Sequence, residues 1–356
     1  HRMGAGELSM KSPNTLAYSG EWRSNPGGPV PVRRPNSIRR TSSLDIFWPK
    51  GRENPSHIIG RARDIFTDAN CMLRCLDDAS IEANAHITRE LVYARTIPTD
   101  TRLDQLSGIR AGGQLRSMLR TLFPGANERD SAQYLLLDDL AGATLVSSWG
   151  WFAWEGYSRE LADRIHTHGI GGKQGDMRGV CIGFAAGSTS LNDSGHPHIE
   201  QQSSAIVPSL INSDDPDGWH TLPEIAGPHS RRARWIDLSM EGTSLVIETG
   251  FQDSAARQDG LRQAIHEYRA EARVDIGSGK VIGLHAIPHV LPHQECPAAV
   301  KNLQRLVGEE MAALRDLVPQ ILAKELGCTH LNDVLRALSA TPFLAVKLAQ
   351  LQGGDQ

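Results

Sequence analysis

Histidine, carboxylate and thiol groups crowd the last third of the chain: His266, Glu267, His285, His289, His293, Glu295, Cys296, Cys328 and His330. An imidazole with an unperturbed pKa of about 6.5 can take up and release a proton near neutral pH. A thiol beside such a base can act as a nucleophile. His266, Glu267 and His330 are the expected proton carriers, with Cys328 as the accompanying thiol. Arg231 and Arg232 are candidates for stabilising an anion, and Trp154 and Tyr268 complete the expected substrate-binding set.

The same residues admit other readings. His289-x-x-x-His293-x-x-Cys296 together with Cys328-x-His330 supplies ligand types suited to zinc. The spacing matches no standard zinc signature, and Pro292 interrupts any regular helix there, so no metal is assigned and zinc stands as an alternative. Cys328-Thr329-His330 also reads as a helix start, with Thr329 as cap and Cys328 as a small buried apolar group. Cys71 and Cys75 lie four apart without a second such pair, a weak zinc signal. The chain has no G-x-S-x-G elbow and no strand-linked G-x-G-x-x-G fingerprint. Gly169 to Gln174 lacks the spacing of a phosphate loop. Chemistry independent of a nucleotide cofactor is the expectation.

These groups must be positioned by a repeated unit. Laid on itself at an offset of about 190 to 200 residues, the chain aligns Arg39, Arg40 and Asp45 with Arg231, Arg232 and Asp237. Asp64 falls on Asp253, Ile97-Pro98 on Ile287-Pro288, and Leu137-Asp138-Asp139-Leu140 on Leu331-Asn332-Asp333-Val334. Arginines and aspartates present in both copies read as structural ion pairs. The histidines and thiols, present in one copy only, read as a site: His330 falls on Leu136, and Cys328 on Tyr134.

In the second copy, β-type runs flank Glu241-Gly242 and Gly277-Ser278-Gly279-Lys280, predicting two hairpins, with Pro288 closing the sheet. Helical spacing follows from Ala298, with a last helix from Leu331 to about Leu338. The expected fold class is α+β: two pseudo-symmetric repeats, each an antiparallel four-stranded sheet followed by helices. The divisions are a flexible arm over 1–35 that Trp22 could pin, repeats over 36–149 and 229–350, and a connector over 150–228. The connector opens with a helix from Trp151 to His166, in which Trp154, Tyr157, Leu161 and Ile165 share a face.

With 40% hydrophobic and 22% charged residues, the composition is that of a folded globular chain. A net charge of −4 supplies no basic surplus for nucleic acid, and no apolar run approaches membrane-spanning length. A cytoplasmic protein with neither nucleic acid nor membrane as partner is expected. The sequence does not set an oligomeric state.

Glu295-Cys296-Pro297, a helical spacer and then Gly327-Cys328-Thr329-His330-Leu331 resemble the helical end of the bacterial domain-of-unknown-function family DUF2889. The resemblance extends to Trp219-His220, to Pro228-His229-x-Arg231-Arg232 and to His266-Glu267-Tyr268, in the manner of the longer, actinobacterial-type members. It implies a family and assigns no catalytic residue.

Together these readings lead to the expectation of a cofactor-independent acid-base enzyme, a lyase, isomerase or cyclase. Its substrate would be a small, largely apolar carbonyl compound of bacterial secondary metabolism or catabolism, held between the lobes under the connector. The alternatives are a non-catalytic ligand-binding or scaffold protein and a metal-dependent hydrolase.

Overall fold

The computed structural model describes residues 22–158, 160 and 176–353. Among the described residues, nine strands form one antiparallel sheet: β1 (Ser37–Phe47), β2 (Ser56–Thr67), β3 (Leu73–Ala85), β4 (Leu91–Ile97), β5 (Ala205–Val207), β6 (His229–Glu241), β7 (Ser244–Ala256), β8 (Arg262–Asp275) and β9 (Val281–Val290). The order is β4-β3-β2-β1-β6-β7-β8, with β5 and β9 sharing the outer edge of β8. Where the sequence suggests a separate sheet for each half, β1 and β6 instead pair along their whole length and merge all strands into one.

Central position explains the burial of β1, where ten of eleven residues are buried although most are polar. Their side chains alternate between two covered faces. On one face lie helices α1 (Gly113–Leu122), α2 (Ala126–Arg129), α3 (Ala132–Val146), α4 (Trp149–Glu155), α5 (Leu314–Ile321), α6 (Thr329–Ala337) and α7 (Thr341–Gly353). Two apolar cores sit there, one chiefly between α3 and β1–β4 and the other between α5–α7 and β6–β9. The opposite face is covered by residues 22–35 and by loops before β6, with Val30, Trp219 and Trp235 packed together.

The arginines expected to be structural are paired on both faces. Arg39 reaches from β1 to Asp237 on β6 with two bonds of 2.6 Å, and Arg231 on β6 reaches back to Asp45 on β1 at 2.7 Å. On the helix face Arg40 grips Asp64 at 2.6 and 2.7 Å, and Arg232 grips Asp253 at 2.9 and 3.0 Å. A β-bulge follows each of these aspartates, between Asp64 and Ile65 and between Asp253 and Ser254.

Several boundaries differ from the sequence reading. Pro288 lies inside β9, opposite Tyr268 at a register shift on the sheet edge, where its missing amide is tolerated. Cys296–Leu306 winds as 3-10 turns, with Pro297 at its start. Helix α4 ends at Gly156, whose φ of 81° is left-handed, so Tyr157 falls beyond it. Leu161 and Ile165 lie outside the described residues. Residues 22–35 are docked: Trp22 is buried, its amide donates to Gln294 Oε1 at 2.7 Å, and Gln294 Nε2 donates back to its carbonyl at 2.8 Å. The run Thr329–Gly353 is long and apolar enough to cross a membrane by length and composition, and is more than half buried against the body.

Candidate active site

Strand β8 runs under α6, and the two elements bring His266 and His330 together. Their rings stack with centroids 3.4 Å apart and planes 18° apart. Nδ1 of His266 lies 3.2 Å from Asp253 Oδ2 on the neighbouring strand. Asp253 is fixed from behind by Arg232, which also donates to Asp333 Oδ2 at 2.9 Å. Burial pushes the Asp253 carboxyl up, but Arg232 and His266 outweigh it and hold the group well below the usual carboxylate range. Burial lowers the pKa of both rings, and His266 lowers that of His330 further. Two stacked imidazoles cannot both carry charge cheaply, so the pair is neutral at neutral pH and able to take one proton. Nδ1 of His266 faces Asp253 without an aligned hydrogen bond; with the N–H on that side, Nε2 keeps the lone pair, as in a histidine base paired with a carboxylate.

The pair forms one wall of a cavity of about 320 Å³. Leu145, Val146, Trp149 and Phe152 come from α3 and α4, and Met177, Val180, Cys181, Phe184 and Ile199 from the connector. Ile265, His293, Cys296, Cys328 and Thr329 complete most of the rest. The connector is tied down over it: Glu295 accepts from the Thr189 amide, Thr189 Oγ1 and Ser190 Oγ at 2.7 to 2.8 Å, and the Ile182 amide donates to Gly327 O at 2.9 Å. Gly183 permits this approach, since a Cβ there would fall 2.7 Å from Cys296 Sγ.

Of the expected catalytic residues, His266, His330 and Cys328 line the cavity. Glu267 does not: strand alternation sends it to the opposite sheet face, where it accepts from the Gly27 amide at 2.8 Å and from Gln252 at 3.3 Å. Cys328 occupies the N-cap position of α6. Burial raises its thiol pKa, opposed by the Tyr268 hydroxyl and the Leu331 and His330 amides, so it is protonated at neutral pH.

Among the expected substrate-binding residues, Arg231 is spent on Asp45 on the far face, and Arg232 sits behind Asp253 rather than in the cavity. Tyr268 is fully buried beneath Cys328. Trp154 gives its carbonyl to Gln258, and the indole lining the cavity is Trp149 instead. His285 stands opposite Glu271 and is exposed.

Sequence reasoning missed Asp253 as a neighbour of the histidine pair, because its recurrence as Asp64 marks it as structural; it pairs with Arg232 and also lies 3.2 Å from His266. His293 also lines the cavity, packed on Phe184 with ring centroids 5.4 Å apart. Of the other residues in the zinc alternative, Cys296 lines the cavity, whereas His289 bonds to Asn25 O at 2.7 Å. Asp253, His266 and His330 each offer a ligand atom, all within 4.8 Å of one another. An ion shared by the two rings would lie far from the plane of at least one, since the planes are stacked.

Residues 229–344, which hold β6–β9, α5, α6 and the histidine pair, match the model of the family described as protein of unknown function (DUF2889). No curated protein and no solved structure matches the chain.

Proposed function

We propose that the chain is a cofactor-independent acid-base enzyme, of lyase, isomerase or cyclase type, acting on a small, largely apolar carbonyl compound in the cavity. The observation that carries this reading is the stacked His266–His330 pair on the cavity wall, with the Asp253–Arg232 pair behind it. A proton taken from carbon beside the carbonyl goes to the histidine pair, and the resulting imidazolium faces the Asp253 carboxylate. Return of that proton to another atom, or loss of a leaving group, completes an isomerisation or elimination. A cytoplasmic setting in bacterial catabolism or secondary metabolism fits such a role.

The site belongs to one copy of a duplicated unit on this proposal, β1–β4 with α1–α3 and β6–β9 with α5–α7. Reciprocal Arg39–Asp237 and Arg231–Asp45 pairs support it, as do matched bulges after Asp64 and Asp253. Asp77 then stands where His266 does, opposite the paired aspartate.

The test is exchange of enolisable protons for deuterium in heavy water, followed by proton NMR over a panel of small ring ketones and aldehydes. The wild type should accelerate exchange, and His266→Asn or His330→Asn should each lower it by about 100-fold or more. A folded double variant exchanging at the wild-type rate would overturn the reading. A metal-dependent hydrolase is the second reading, favoured by the three ligand atoms within 4.8 Å. Stoichiometric zinc in active protein, with activity lost on chelation, would replace the first reading with it.

A further inference from the structure

The cavity lining is chemically narrower than its shape requires. Among the described residues, no Asp, Glu, Lys or Arg lines it. Asp253, behind His266, is already matched by Arg232 across both oxygens. Burial pushes His293 down to about 4, and burial raises the Cys181, Cys296 and Cys328 thiols, so each of these groups is uncharged near neutral pH. An ionic ligand would lose its water and, among the described residues, meet no opposite charge.

Three polar atoms of the lining nevertheless lack hydrogen-bond partners. Nδ1 of His266 at least faces Asp253 at 3.2 Å, whereas Nε2 of His293 and Nε2 of His330 are buried without a hydrogen bond, and all three residues line the cavity. His293 is 6% exposed. Buried polar atoms in folded proteins are nearly always paired, so the two Nε2 atoms call for groups on an occupant. The surrounding wall is apolar, with Trp149, Phe152 and Phe184 offering flat surfaces. At the density of protein interiors, about 320 Å³ accommodates roughly a dozen non-hydrogen atoms.

We propose that the cavity takes one uncharged ring compound bearing two oxygen functions, one held at His330 beside His266 and the other at His293, and rejects the corresponding carboxylic acids, phosphate esters and coenzyme A thioesters. The assignment of the His330 end as the reacting end rests on the proton-transfer reading; selection by charge does not.

Calorimetric titration of the full chain with three probes tests this. They are para-methoxyacetophenone, para-methoxybenzoate, which has similar shape but carries a charge, and para-ethylacetophenone, which lacks the second oxygen. Near neutral pH the methoxy ketone should bind at least about tenfold more tightly than the benzoate and about fivefold more tightly than the ethyl ketone. His293→Phe should erase the second preference and keep the first. Equal or tighter binding of the benzoate, or no binding of either ketone, overturns the proposal. Equal binding of the two ketones by the wild type overturns its two-oxygen part. Binding with the stated preferences but without histidine-dependent proton exchange sinks the catalytic reading alone.

Discussion

His220 lies under the centre of the sheet with Nδ1 2.8 Å from Thr41 Oγ1 and Nε2 2.8 Å from Ser43 Oγ, and burial pushes its pKa down to about 3. His229 and His293 are likewise pushed down by burial, each to about 4. An unfolded chain protonates these rings below about pH 6.5, whereas the folded chain resists protonation until about 4 or lower. Protonation therefore favours the unfolded state between those values. Stability is complete above about pH 6.5 and falls as pH drops toward about 4, by several kcal/mol for the three rings together. Urea denaturation at about pH 7.5 and about pH 5 should show a lower midpoint in acid, with a smaller drop for His293→Phe; an unchanged wild-type midpoint refutes the prediction. At this scale the sequence exposes which residues can titrate, and His266 and His330 follow from their absence in the first copy. It does not reveal that Glu267 faces away, because one residue of strand register decides that, nor that Asp253, gripped by Arg232, also stands beside His266.

Among the elements, the hairpin turns are legible: β6 and β7 flank Gly242, whose φ of 60° requires a residue tolerant of the left-handed region, and Gly279 at 69° does the same before β9. The 3-10 winding of Cys296–Leu306 is not legible, because its apolar residues Leu303 and Leu306 suit either helix and only the local backbone distinguishes them. Helix α3 carries a glycine whose role is invisible in sequence. Gly142 sits in its interior, where alanine would ordinarily stabilise by about 1 kcal/mol. Here a Cβ would collide with Arg232 Nη1 and approach Asp333 Oδ2 at 2.6 Å. Gly142→Ala should therefore destabilise, by about 2 kcal/mol or more, through displacement of a buried ion pair. A melting temperature equal to or above that of the wild type would show that the Arg232 network yields without cost.

Across the whole molecule, the proposed duplication separates what holds the sheet from what does chemistry. Arg40–Asp64 and Arg232–Asp253 are equivalent buried pairs, and only the second stands beside a histidine. Removing the charge from either aspartate leaves a buried arginine underpaired and should cost about 3 kcal/mol or more of stability. The consequences for proton transfer should diverge. Asp64→Asn leaves His266 and His330 as they are, so the folded variant should exchange substrate protons within about twofold of the wild-type rate. Asp253→Asn removes the carboxylate that orients His266 and compensates its charged form, so exchange should fall by about 100-fold or more, as for loss of a triad aspartate. Both variants are compared at a temperature where denaturation curves show each to be folded. Equal loss of exchange in the two would mean that activity tracks stability alone, and the asymmetric placement of His266 beside one of two matched ion pairs would then have no chemical consequence.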